Sequence, residues 1–321
     1  MIQSPAEAIA AVRSLKEQGV DFIKVQSRLH PEGYFAIAEE SKRLGIRFVG
    51  HVPDAITAAQ ASDAGQASIE HLTGVLLGCS TREEELRQRQ LQPVPPGENR
   101  SASLARQRAW QRDLLNSISP QKSDALLRKF AANRTWHVPT FPLLVHTGFL
   151  TPETDLRNDP RSKYVPRNLL EIWEQGRKAS LESYSAEDFA LRREIVKRSL
   201  EIVGRMNAAG VRLMTGTDSA APNVFPGSSV HEDLAYLVAA GLTPMQALQA
   251  ATSGPAEFLM RNGQGTIQAG KRADLVLLDA NPLDDIHNTQ KIRAVILNGK
   301  LLTRSHLDAL LAGVQRFAST H

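Results

Sequence analysis

Short β-branched runs alternate with amphipathic helical stretches from Ser4 to Leu72, and this rhythm constrains the fold more than any other feature of the chain. The opening helix carries its own boundaries: Ser4 as N-cap, Pro5 at the first helical position, Glu7 placed to close a capping box, and Gly19 just past the end. Asp21 to Val25 then reads as a strand covered on both faces. Pro31 to Leu44 reads as a helix, Arg47 to Val52 as a strand, Asp54 to Ala64 as a helix and Ala67 to Leu72 as a strand. Strands joined in this way pair in parallel through right-handed crossovers, so the chain is α/β, as a barrel or a doubly wound open sheet.

The rhythm breaks after Gly78. Residues from about 80 to 132 are rich in Arg, Gln, Glu and Ser and read as a helical insertion, interrupted near Pro93. Its arginines, Arg82, Arg87, Arg89, Arg100, Arg106, Arg108 and Arg112, fit a solvated helical face better than a path for an acidic substrate. Alternation resumes at Thr135 to Thr140, and a long helix from Ser185 to Ala209 stops at Gly210. Val211 to Asp218 is the next strand, the fifth in the parallel set.

Beyond it lie a helix from Ser229 to Ala240 and another that opens on Thr243 with Gln246 and runs through Ala251. The texture then turns to β: Ala273 to Leu278, then Ile292 to Leu297 turning at Asn298-Gly299 into Lys300 to Leu302, a hairpin signal. Such a small set of strands needs a partner sheet. The expected division is an α/β segment over 1–262, a small β segment over 263–303 and a terminal helix over 304–321.

Composition narrows the function classes. Hydrophobic residues at 42% and charged residues at 22% exclude a disordered chain. Cys79 is the only cysteine, which removes intramolecular disulfides and cysteine-held metals. No run reaches the ~18 apolar residues that a membrane span needs, and Met1 to Val20 is a helical pattern rather than a signal peptide. The net charge of +4 is spread over a chain with only 5% aromatics, which argues against nucleic-acid partners. A soluble chain with no membrane partner is expected, and its compartment stays open because any leader would precede Met1.

Chemistry concentrates at strand ends. Lys24, His51, His71 and Asp218 each fall at or near the C-terminal end of an expected parallel strand, the face on which α/β proteins bind ligands. The intervals of 27 residues from Lys24 to His51 and 20 from His51 to His71 each suit one βα unit. Singly, each has an ordinary reading: a strand-end histidine is often a hydrogen-bonded structural group, and Asp218 could cap its loop. Lys24 is harder to dismiss, because an ammonium in a buried strand requires an anion or a chemical change. Two imidazoles and a carboxylate suit zinc or a similar first-row ion, which acidifies water toward hydrolysis. Asp218 could ligate and also carry the water's proton to a leaving group.

Phe22-Ile23-Lys24-Val25, Gly50-His51-Val52, Ile69-Glu70-His71-Leu72 and Gly216-Thr217-Asp218-Ser219, in this order, resemble the metal-dependent amidohydrolase superfamily. Ala240-Gly241-Leu242-Thr243-Pro244, Ala247 to Thr252, Gly265-Thr266-Ile267, Gly270 to Val276 and Asn281-Pro282-Leu283 are similar to its imidazolonepropionase-like and prolidase-like branch. The resemblance runs from about Ser4 to Leu302. It implies an eight-stranded (β/α) barrel with two metal ions and a composite β-sandwich. Lys24 matches the family's carboxylated lysine, His51 and His71 the histidine ligands of strands five and six, and Asp218 the strand-eight aspartate, ligand and general base. The substrates implied are small amides, dipeptides or N-acyl amino acids, cleaved at a C–N bond.

The family's His-x-His pair of the first barrel strand is absent from this sequence. The resemblance therefore implies a partial, TIM-like barrel lacking its first three strands, with one divalent metal or none in place of two. Two functions follow as expectations: a zinc-type hydrolase of C–N bonds, or an inactive truncated homologue that binds at most one metal and associates, with itself or a partner, through an open sheet edge. His137, mid-strand, reads as structural, and His231 as a group near a helix N-terminus.

Overall fold

The computed structural model describes residues 2–148, 156–219 and 221–320. Elements run in the order α1 (Pro5–Glu17), β1 (Phe22–Val25), α2 (Pro31–Leu44), β2 (Arg47–Gly50), α3 (Ala58–Asp63), β3 (Ser68–Glu70), α4 (Val75–Gly78), α5 (Glu83–Leu91), α6 (Arg100–Ser117), α7 (Pro120–Ala132) and β4 (Trp136–Val138). There follow α8 (Phe141–Gly148), α9 (Arg167–Ser183), α10 (Ala186–Ala208), α11 (Ser229–Ala239), α12 (Pro244–Ala251), α13 (Ser253–Phe258), β5 (Leu275–Leu278), β6 (Ile292–Leu297), β7 (Lys300–Leu302) and α14 (Arg304–Thr320). The chain divides into two compact units, residues 1–139 with 194–214 and residues 140–193 with 215–321.

The first unit holds a four-stranded parallel sheet in the order β1-β2-β3-β4. Its register sets the two faces. Lys24 pairs with Val49, Val49 with Ser68, and Ser68 with Trp136, so these share one face, and Glu70 lies one pleat step further along it. Ile23, Val25, Phe48, Ile69 and His137 take the opposite parity and are all buried. On that side Tyr34 of α2 meets the Phe48 ring edge to face, and Phe130 of α7 meets the His137 ring at 4.4 Å.

Three expectations change here. Strand β1 is not covered on both faces: its residues alternate exposed and buried, with Phe22 39% exposed, because helix packing covers only the Ile23 and Val25 side. The Val211 to Asp218 run is not a full strand. Only Leu213 bridges His137 in parallel, with Arg212 O and His137 O accepting from His137 N and Met214 N at 2.9 Å each. At the amino end Ser4 Oγ caps Glu7 N at 3.2 Å, but Glu7 Oε2 takes the Gln3 N–H at 2.7 Å, so the capping box does not close on Ser4.

In the second unit the α12 capping box forms as expected, Thr243 and Gln246 each accepting the other's backbone N–H. Strands β5, β6 and β7 make an antiparallel sheet, and Asn298 and Gly299 both take positive φ (52° and 77°), the turn an Asn-Gly hairpin requires. Leu156, Val165, Trp173 and Phe225 form a buried cluster of their own in this unit.

Candidate metal centre

The ends of β1, β2 and β3 bring three of the expected side chains together. His51 follows β2 directly, its N–H donating to Val25 O at 3.1 Å, so the β1–β2 ladder continues to the imidazole. Gly50 precedes it at φ +116°, and a Cβ there would lie 2.4 Å from Val25 O; only glycine lets the two backbones approach so closely. His71 follows β3, with φ +57° and its N–H on Val138 O at 2.9 Å. The two imidazoles face each other edge to face, ring centroids 4.9 Å apart.

Buried side chains stitch these strand ends. Gln66, 1% exposed, donates to Gly50 O and Ser68 O at 3.0 and 2.9 Å and accepts from Tyr34 Oη at 2.7 Å. Thr73 Oγ1 accepts from Val52 N at 2.9 Å and donates to Glu70 O at 3.0 Å, tying the loop after His51 to the end of β3. Ser27 Oγ lies 2.7 Å from His51 Nδ1.

A residue outside the expected set joins them. Glu70 offers a carboxylate oxygen that, with one nitrogen each from His51 and His71, forms a trio of donors all within 4.8 Å of one another. The same carboxylate holds Lys24, with Nζ 2.6 Å from Glu70 Oε2. The anion that Lys24 requires is therefore present, and its side chain is 40% exposed rather than buried in the strand. Strand parity is the signal that identifies Glu70: it and Lys24 sit on one face of the register. Two imidazoles and a carboxylate at this spacing fit a first-row divalent ion by donor type and number.

Asp218 lies in the second unit, at φ +54°, its carbonyl accepting from Ala221 N at 3.1 Å. The strand-end turn that carries it is anchored by Asp233 of α11, a fully buried carboxylate that accepts from Gly216 N and Phe141 N at 3.0 Å each. Burial pushes the Asp233 carboxyl up to about 7, against the pull of those two N–H bonds. His231, half-buried, bonds Thr289 Oγ1 through Nδ1 at 2.9 Å, and burial lowers its pKa. His137 is fully buried among apolar groups, with neither ring nitrogen bonded among the described residues.

Residues 143–302 match the model of the amidohydrolase family. The chain carries an amidohydrolase family domain. The chain is 35% identical over 96 residues to an imidazolonepropionase of Mycolicibacterium smegmatis, a match covering 27% of the chain and 24% of that protein. It is 36% identical over 94 residues to an ochratoxinase of Aspergillus niger, covering 27% of the chain and 18% of that protein. Among solved structures, bottromycin amidohydrolase superposes with a TM-score of 0.77 at 24% identity, covering 99% of this chain and 63% of that one. The chain thus spans under two thirds of the length of these relatives, and the fold it shares with the bottromycin amidohydrolase structure is α/β with a parallel sheet.

Proposed function

We propose that the chain is a metal-dependent hydrolase of C–N bonds, acting on small amides of the dipeptide or N-acyl amino acid type. The observation that carries this reading is the convergence of His51, Glu70 and His71 donor atoms within 4.8 Å, with Lys24 on the same carboxylate. The family domain and the fold shared with bottromycin amidohydrolase support it. In this reading β1 to β4 are later strands of a TIM-like barrel.

His51, His71 and Lys24 are the proposed ligand set, with Glu70 added to it. A divalent ion held by such residues supplies Lewis acidity and lowers the pKa of water toward neutrality. The rest falls to the chain itself. The His51 imidazole is held by Ser27, and the backbones that carry His51 and His71 are held by Gln66 and the continued strand ladders, so little reorganisation accompanies binding. Asp218 is the proposed base that takes the attacking water's proton and returns it to the leaving nitrogen. Lys24 would serve as a carbamate: the neutral amine adds CO2 and loses a proton, and Glu70, relieved of its ammonium partner, turns to the imidazole pair.

The test is elemental analysis of the purified chain after loading with zinc, manganese or nickel, followed by a hydrolysis screen over dipeptides and N-acyl amino acids. One ion per chain with cleavage of at least one such amide is expected. A chain that takes up none of these metals under any loading condition is not a metallohydrolase.

A second reading is favoured by the edge position of β1, which pairs only with β2 among the described residues and exposes Phe22. An open edge of this kind recruits strands. A non-catalytic homologue would associate there, and light scattering showing a metal-free, inactive oligomer would select it.

A further inference from the structure

Helix α5 lies in the stretch that least resembles a βα unit, yet one of its arginines is not solvated at all. Arg87 is 3% exposed. Its Nη1 donates to the carbonyls of Asp54 at 3.0 Å and Ile56 at 2.7 Å, and its Nη2 to Glu83 Oε1 at 2.7 Å. Gln90, one turn on, donates to Asp54 Oδ1 at 2.9 Å. Burying a guanidinium is costly unless its donors are engaged. Here Nη1 engages the backbone of one short loop, the loop that leaves β2 through His51, and Nη2 engages Glu83, while Nε has no partner among the described residues.

That loop is also tied to the imidazole. Asp54 N donates to Ser27 O at 2.9 Å, and Ser27 Oγ lies 2.7 Å from His51 Nδ1. Three hydrogen bonds, joined through the covalent frames of Asp54 and Ser27, therefore link Arg87 to His51 wholly within the first unit. Packing α5 against the sheet would need only an apolar side chain of similar volume. The forked donation to two carbonyls two residues apart sets the loop's position.

We propose that Arg87 is a positioning residue: by clamping the Asp54 and Ile56 carbonyls, it fixes through Ser27 the orientation of the His51 imidazole toward Glu70 and His71. Its consequence for metal rests on the function proposed above; its effect on the imidazole does not. Lysine keeps the charge, but its shorter single-nitrogen head cannot hold both carbonyls and Glu83 from the position of Nη1 and Nη2, so Arg87→Lys is expected to move the His51 signals in the same direction as Arg87→Ala.

The experiment compares the full chain with Arg87→Ala, Arg87→Lys and Ser27→Ala. Two quantities are read: the long-range ¹H–¹⁵N correlations of the His51 ring, assigned with His51→Ala, and cobalt affinity from visible absorption. In folded Arg87→Ala the His51 nitrogen shifts are expected to move and the cobalt dissociation constant to rise about tenfold to a hundredfold. Added guanidinium ion should restore both. If a folded Arg87 variant leaves the His51 shifts in place and cobalt affinity within about twofold of the parent, the proposal is overturned. Should Arg87→Ala not fold, Arg87→Lys carries the comparison, and an unmoved His51 signal in Ser27→Ala equally breaks the path. If the parent chain binds no cobalt, the metal reading fails, while the His51 shifts still decide whether Arg87 acts on the ring.

Discussion

Lys24 Nζ lies 2.6 Å from Glu70 Oε2, two strands away across β2. One carboxylate thus serves two neighbours, the ammonium and the His51–His71 pair. Glu70→Gln separates these roles. The ion pair is open to solvent on its Lys24 side and contributes little to stability, so unfolding should change by about 1 kcal/mol. Loss of a charged donor should weaken cobalt binding about tenfold or more. Titration of both proteins by visible absorption, with thermal unfolding alongside, checks the pair of outcomes. A Glu70→Gln chain with parental cobalt affinity would remove Glu70 from the ligand set.

The proposed ligands and the proposed base should part company on substitution. His51→Ala and His71→Ala are expected to lose metal, as read by elemental analysis. Asp218→Asn is expected to keep an ion at the His51–Glu70–His71 cluster while kcat on a cleaved amide falls about 10²- to 10⁴-fold. Equal metal loss in all three variants would make Asp218 a ligand without a separate proton role.

His137 predicts a pH dependence. Burial holds its pKa down at about 3, against an ordinary value near 6.5. Between those values the unfolded chain binds more protons than the folded one, so stability rises with pH across this window and is lost as pH falls through it. The slope from this group approaches ~1.4 kcal/mol per pH unit. His137→Leu removes an imidazole whose nitrogens are unbonded among the described residues, and its acid limb should be flatter. Urea unfolding at pH 4, 5, 6 and 7 compares the two slopes; parallel curves would contradict the assignment.

Gly50 should tolerate no side chain. A Cβ would sit 2.4 Å from Val25 O, at φ +116°. Gly50→Ala is expected to cost about 1–3 kcal/mol from backbone strain alone, with further loss as β1 and β2 separate. Since His51 is the next residue, metal affinity should fall in the same variant. Denaturant unfolding and cobalt titration measure the two effects, and a change in neither would show that the strands can move apart freely.

Local periodicity and capping chemistry were legible without any structure. The βαβ rhythm, the α12 capping box, the Asn298-Gly299 hairpin, and His51 and His71 directly after their strands all rest on interactions between residues close in the chain. Other features rest on contacts between distant segments. Glu70 faces Lys24 only because the β1–β2–β3 register puts both on one face, and β1 is exposed on one side because helices cover only the other. Arg87, in a stretch that reads as a solvated face, is buried because its guanidinium finds two backbone carbonyls more than thirty residues earlier. Val211 to Asp218, a strand by composition, is reduced to a single bridge at Leu213. Hydrophobic spacing and end signals are properties of a few neighbouring residues, whereas strand register and the burial of a charge depend on which distant groups arrive to meet them.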